Sequence, residues 1–230
     1  MVTVVLCVYD EGKAHHYLQT LDKAGVGVQL LNSQVSGVPK EALEGMGGLL
    51  MGGGPEVGPH DPGDGPLVEA YTASATMHLH RRILELALAQ NMPILAIGEG
   101  MLLLNQASGG KAAQPVANHG LVIKDDRWHS SQHSIYLSPG SKLSAILGTG
   151  GFFKVNSRHK LGLKEGQRSP RLLASAYSLE DGVIEGLESP EHPWVVGVQW
   201  HPERQGEVSK AFGALFLAFA ERAGDHGPRR

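Results

Sequence analysis

The stretch Pro93–Gly110, PILAIGEGMLLLNQASGG, decides how the rest of the chain is read. Residues 93 to 97 are apolar at nearly every position, as a strand must be when helices cover both of its faces. Two glycines then bracket Glu99, and an apolar helical pattern begins near Gly100. A buried strand, a tight turn and a helix in immediate succession form the geometry of a nucleophile elbow. In such an elbow the residue at the turn projects above the sheet while nearby N–H groups form an oxyanion hole. Here the elbow position is Gly98, which adopts positive φ freely and offers no atom to attack a carbonyl. A phosphate-binding turn at a helix N-terminus is the other reading of Gly-x-Gly. Glu99 would repel an anion there, and the longer G-x-G-x-x-G frame fails at Leu103.

Working outward, the first half repeats the same alternation. Val2 to Val8 is a strand apolar on both faces, and His15 to Ala24 is a short helix with Leu18 and Leu21 on one side, ended by Gly25. Residues 27 to 31 and 48 to 51 are further strands, the latter running into Gly52-Gly53-Gly54-Pro55, where backbone can approach a ligand with no Cβ in the way. Residues 55 to 66 are too rich in Pro and Gly for regular structure and read as a long surface loop. Thr72 to Asn91 is an amphipathic helix, with Leu79, Ile83 and Leu86 at helical spacing. Past residue 115 strands dominate: 121–123, 135–137, 152–155, 172–177, 183–187 and 195–200. Val208, Phe212, Leu215, Phe216 and Phe219 mark a closing helix, and Gly224 onward reads as a polar, fraying tail. The expected organisation is one domain over 1–222 with a C-terminal tail over 223–230.

Composition fits that plan. The chain has 230 residues, 41% apolar and 19% charged, enough for one α/β domain with its own core. A net charge of −3 gives no basic excess for nucleic acid or an anionic membrane surface. The single cysteine, Cys7, lies in the first apolar strand, so neither a disulfide framework nor a Cys-based structural zinc site is available. No leader pattern and no long apolar run is visible, and a cytoplasmic location is expected.

The second landmark is Gly197-Val198-Gln199-Trp200-His201-Pro202-Glu203. A strand ends at His201 and Glu203 follows two residues on, so an imidazole can sit beside a carboxylate that fixes its tautomer, the base-and-orienter half of a triad. An isolated His-Pro-Glu is more simply a surface histidine at a strand end; the two landmarks together change that balance. GLLMGGGPEVGP at 48–59, the turn at PILAIGEGMLLLN, VNSRHK at 155–160, EDGVIEGLE at 180–188 and VVGVQWHPE at 195–203 resemble, in order and spacing, the class I glutamine amidotransferase superfamily and its γ-glutamyl-γ-aminobutyrate hydrolase branch. The resemblance covers roughly residues 45 to 220. It implies a flavodoxin-like, doubly wound, mostly parallel α/β sheet with a small β excursion, and a Cys-His-Glu triad cleaving γ-glutamyl amides. Carried over by position, the nucleophile falls on Gly98, the base on His201 and its orienter on Glu203. The oxyanion donors fall on backbone N–H groups at Gly53 or Gly54 and at Glu99, and Leu102 and His159 fall on the ligand side of the pocket.

The chain departs from the family pattern where the chemistry is. The family's elbow Cys-Arg-Gly-Met-Gln is here Gly98-Glu99-Gly100-Met101-Leu102, and its Val-Asn-Ser-x-His-His-Gln is Val155 to Leu161 with Lys160 after His159. Met77 stands where the helix before the elbow usually carries an acidic residue. Cys7 cannot substitute, because a thiol inside a core strand is inert. These changes favour a pseudoenzyme that binds a small polar ligand, a carboxylate or an amide, or a partner protein. The alternative is a hydrolase of amide C–N bonds that uses a water activated by His201 and Glu203. No cofactor and no metal are expected: His78 and His80, and His15 and His16, diverge in direction, and His133 begins a strand after His129. Trp128, Trp194 and Trp200 read as packing residues, Ser108 as an ordinary helix residue, and a homodimer is compatible with the sequence.

Overall fold

The computed structural model describes residues 1–9, 12, 14–31, 41–54 and 75–227. β1 (Thr3–Cys7) lies between β2 (Gly27–Leu31) and β3 (Gly48–Met51), and β3 pairs with β4 (Ile94–Ile97), all in parallel. β12 (Val195–Val198) adds to the other side of β4, also parallel, with Val198 opposite Ile97. That register brings the ends of the two strands carrying the sequence landmarks side by side. The sheet then turns antiparallel through β11 (Ile184–Glu188), β10 (Leu173–Ser178), β7 (Arg127–Leu137) and β6 (Leu121–Lys124), with β8 (Gly151–Ser157) also on β7. β5 (Gln114–Pro115) and β9 (Leu161–Gly162) form a separate two-stranded sheet.

The central parallel strands β1, β3, β4 and β12 are apolar because alternate side chains enter two different cores. Val4, Leu6, Leu50, Leu95 and Val196 pack with α1 (His15–Lys23), α4 (Lys142–Leu147) and α5 (Ala214–His226). Val5, Cys7, Leu49, Met51 and Ile94 pack with α2 (Ala75–Ala89) and α3 (Glu99–Ala107). Truncating one of these fully buried leucines to alanine removes about 2–5 kcal/mol. The expected doubly wound α/β architecture is present, and no helix of the described residues is long and apolar enough to cross a membrane.

Three features differ from the sequence expectation. β7 begins eight residues before 135, because its polar first half is an exposed ribbon paired with β6 across a two-residue turn, Asp125 and Asp126, both at positive φ. The short α4 was not expected; Ser141 caps it by accepting from Ser144 N, and Gly148 ends it at φ +74°. The closing helix continues past residue 223. It runs to His226 because Ala223 is fully buried in the core and its carbonyl lies against Gly47, where a Cβ would not fit. The Pro/Gly loop expected over 55–66, the first residues of the helix expected from Thr72, and residues 228–230 lie outside the described residues.

Candidate active site

At the end of β4 the chain turns sharply into α3. Gly98 sits at φ +59° and ψ −120°, its N–H bonded to the Val198 carbonyl at 2.8 Å and its own carbonyl accepting from Met101 N at 3.0 Å. This is the strand-to-helix elbow read from the sequence, at a backbone conformation that penalises any side chain. A Cβ built on Gly98 would point at the imidazole of His201, 3.1 Å from Cε1 and 3.2 Å from Nε2.

His201 follows β12 and is held by its backbone as well as its ring. Its N–H donates to Asn156 Oδ1 at 2.9 Å and its carbonyl accepts from Asn156 Nδ2 at 3.1 Å, so one buried side chain on β8 clamps both sides of the residue. On the ring, Nδ1 lies 2.7 Å from Glu203 Oε1. Glu203 is 4% exposed, and its carboxylate accepts, so Nδ1 donates to it and Nε2 is the ring nitrogen that faces Gly98. The base-and-orienter geometry expected of His201 and Glu203 is therefore assembled, opposite an elbow that bears no nucleophilic atom.

Gly53 and Gly54 leave β3 beside the same imidazole; a Cβ on Gly53 would lie 3.4 Å from His201 Cε1. The Gly53 N–H, however, already donates to the hydroxyl of Tyr17 at 3.0 Å. Tyr17, on α1, is a site residue that sequence reading missed, because at helical spacing it looks like one more core aromatic. Glu99 starts α3, and burial pushes its carboxyl up to about 7. His16, next to Tyr17, is held below its ordinary value by burial and by the nearby Arg204 guanidinium, which itself pairs with Glu207 at 2.7 Å.

Two expected pocket residues lie elsewhere. Leu102 points into the apolar core between the sheet and α2, where its neighbours are hydrocarbon. His159 is turned away from His201 into a second polar cluster with His119, His133 and Glu185, all 9% exposed or less. The Nε2 atoms of His133 and His159 and Nδ1 of His119 lie 3.2, 3.4 and 3.5 Å from Glu185 Oε1. Burial would raise Glu185, but the imidazoles of His133 and His159 outweigh it and hold the carboxyl at about 2. His119 is lowered by burial and by His159. Nothing local in the sequence announces this cluster, whose members come from a loop, β7, the turn after β8, and β11. Cys7 is fully buried and its thiol is pushed up to about 12, the inert state expected of it. Trp194 and Trp200 pack on Phe219 and Phe212 as expected, whereas Trp128 is 43% exposed on the β6–β7 ribbon.

Residues 7–203 match the family model described as Peptidase C26. Protein NtpR of Enterococcus hirae is 32% identical over 187 residues, 75% of this chain and 73% of that one. The γ-glutamyl-γ-aminobutyrate hydrolase PuuD of Escherichia coli strain K12 is 29% identical over 199 residues, 81% of this chain and 76% of that one. Among solved structures, the glutaminase domain of Trypanosoma brucei CTPS with bound acivicin superposes with a TM-score of 0.72 at 15% identity, covering 100% of this chain and 96% of the other.

Proposed function

Since this chain belongs to the Peptidase C26 family of class I glutamine amidotransferases, we propose that it is a non-catalytic member, in which Gly98 stands where the family carries its nucleophilic cysteine and the remaining pocket binds a small polar ligand. One observation carries the reading: Nε2 of His201 faces a glycine, so the base has no thiol to activate. Two further observations support it. The Gly53 N–H that would serve an oxyanion is engaged by Tyr17, and Glu99 places a titrating carboxyl at the elbow. The groups left to a ligand are the His201 ring and the backbone around Gly54 and Glu99, which suit an amide or a carboxylate. A partner protein that presents such a group from a side chain would use the same contacts. With a net charge of −3, nucleic acid and anionic membrane surfaces are not the partners proposed.

A second reading rests on the intact His201–Glu203 pair at 2.7 Å. That pair can deprotonate water, and a water attacking a γ-glutamyl amide would give hydrolysis without an acyl-enzyme. Water is the weaker nucleophile, and its rate depends wholly on how tightly it is positioned. The test runs both readings together. The protein is incubated with glutamine and a panel of γ-glutamyl amides, and a metabolite set is screened for a rise in melting temperature, which a ligand bound only by the native state must produce. A ligand that stabilises the protein without turnover is the expected result. Turnover that disappears in His201→Ala would establish the hydrolase instead.

A further inference from the structure

The cluster behind the elbow has an acceptor problem that points to a cation. His159 Nδ1 lies 2.9 Å from the Leu161 carbonyl. A carbonyl only accepts, so that nitrogen donates, and a ring that holds a single proton presents a lone pair at Nε2. That lone pair faces a carboxylate oxygen, Glu185 Oε1, at 3.4 Å. His119 repeats the arrangement. Its Nε2 lies 3.3 Å from the Asp181 carboxylate and must donate, leaving the Nδ1 lone pair 3.5 Å from the same Glu185 oxygen. Ser157 Oγ, 3.4 Å from that Nδ1, gives its one proton to the His119 carbonyl at 2.7 Å. With one proton on each ring, two imidazole lone pairs thus converge on a carboxylate whose nearest remaining nitrogen is His133 Nε2, 3.2 Å from Glu185 Oε1, and His159 Nε2, His133 Nε2 and both oxygens of Glu185 are buried without a hydrogen-bond partner.

We infer that His119 Nδ1, His159 Nε2 and Glu185 form a buried site for a divalent transition-metal ion, zinc being the ion whose ligand preferences fit best. Each of the three residues offers one ligand atom, and these lie within 4.8 Å of one another. Tetrahedral zinc with ordinary Zn–N and Zn–O distances sets its ligands about 3.3 Å apart, close to the 3.4 and 3.5 Å found here. Two histidines and a glutamate are an established zinc set. The outer shell is also in place: the Leu161 carbonyl orients His159 and the Asp181 carboxylate orients His119, the backbone and carboxylate partners that ligating imidazoles use. His133, edge-on to His119 with ring centroids 4.5 Å apart, stands beside the carboxylate. The ion would tie the loop before β6, the turn after β8 and β11 together. Since β8 also carries Asn156, the clamp on His201, the site anchors the scaffold of the elbow pocket, whether or not that pocket turns over a substrate.

The protein, stripped with a chelator and dialysed, is titrated with Zn²⁺ alone. The expected result is about one tightly held zinc per chain, and a melting temperature that rises with zinc and falls back on chelation. His159→Asn and Glu185→Gln should abolish both, while His129→Gln, an exposed histidine on β7, should change neither. Should the cluster variants fail to fold, the wild-type protein still decides the matter. Co²⁺ loading should give the intense visible bands of a tetrahedral site, and ¹⁵N spectra should show zinc shifting His159 Nε2 and His119 Nδ1. Zinc that leaves the melting temperature and those two nitrogens unmoved would overturn the site and identify the shared cation as a proton. Zinc bound equally well by His159→Asn and Glu185→Gln would overturn it too, by placing the ion elsewhere.

Discussion

Replacing Gly98 by alanine tests the elbow most directly, because the two costs it incurs can be separated. The first is conformational: φ +59° with ψ −120° lies outside the regions open to L-residues, and a non-glycine residue held in such a region costs about 1–3 kcal/mol. The second is contact. The new methyl would sit 3.1 Å from His201 Cε1 and 3.2 Å from Nε2, a few tenths of an ångström too close, so the ring must move against its 2.7 Å bond to Glu203. For a domain of this size each kcal/mol lowers the melting temperature by roughly 2–4 °C, so a total near 2–3 kcal/mol predicts a fall of about 4–12 °C. Thermal and urea unfolding of Gly98→Ala would be compared with Gly182→Ala, another positive-φ glycine, at +71°, with nothing within 4 Å of its Cβ. The control reports the cost of a methyl at positive φ without a clash, and the excess at Gly98 combines the cost of its ψ with the push on His201. In a His201→Ala background the part due to the push should vanish while the backbone penalty stays. A Gly98→Ala protein as stable as wild type would refute the reasoning, because it would show that the turn relaxes freely and that the elbow is not strained.

Three further outcomes are expected. Glu99, raised from about 4.5 to about 7 by burial, binds a proton more tightly folded than unfolded, so stability is lost as pH rises from 4.5 through 7. Glu99→Gln should therefore match wild type near pH 4 and exceed it at pH 8, by roughly 1–3 kcal/mol after allowance for partial solvent access, measured by unfolding at both pH values. Tyr17→Phe removes the acceptor of the Gly53 N–H and should cost about 0.5–1.5 kcal/mol in a melt; no change would mean that the N–H finds another partner at once. Gly98→Cys should react with a thiol-directed electrophile, helped by the start of α3 and opposed by Glu99, yet hydrolyse glutamine poorly until Glu99→Arg is added. Robust glutaminase activity from the single change, read by ammonia release, would show an otherwise intact pocket.

The parts legible in the sequence are those set by short-range pattern. A run such as Ile94 to Ile97 must be covered on both faces, and Gly98 after it announces a turn; both statements need only neighbours along the chain. Parallel pairing of β4 with β12, which sets Ile97 beside Val198, then follows from two such runs sharing one sheet, and His201 arrives opposite Gly98. What escaped was set by contacts distant in sequence. The family pattern places Leu102 in the pocket by position, but an α3 residue one turn past the elbow packs in the opposite core. The same pattern places His159 there, and its ring instead contacts Glu185. Tyr17 and the helix extension through Ala223 depend on what happens to lie across from them, Gly53 in one case and Gly47 in the other.

How the imidazole is supported bears on why a glycine can occupy the elbow without the site collapsing. His201 takes nothing from residue 98. Its backbone is gripped on both sides by Asn156, and its ring by Glu203, which is buried. On the proposed reading, in which the elbow has lost its nucleophile, the change removes a reaction partner and leaves the base in register. The exchange is also favourable to the fold: among the amino acids only glycine takes φ +59° at little cost, so about 1–3 kcal/mol of strain that any nucleophile must carry there is absent. On that reading the site, with Nε2 still aimed at the same point, keeps what recognition requires and gives up what acyl transfer requires. Stability gained at a functional position with activity forgone is the usual direction of that trade-off. It predicts that a nucleophile returned to position 98 regains chemistry only at the expense of the melting temperature.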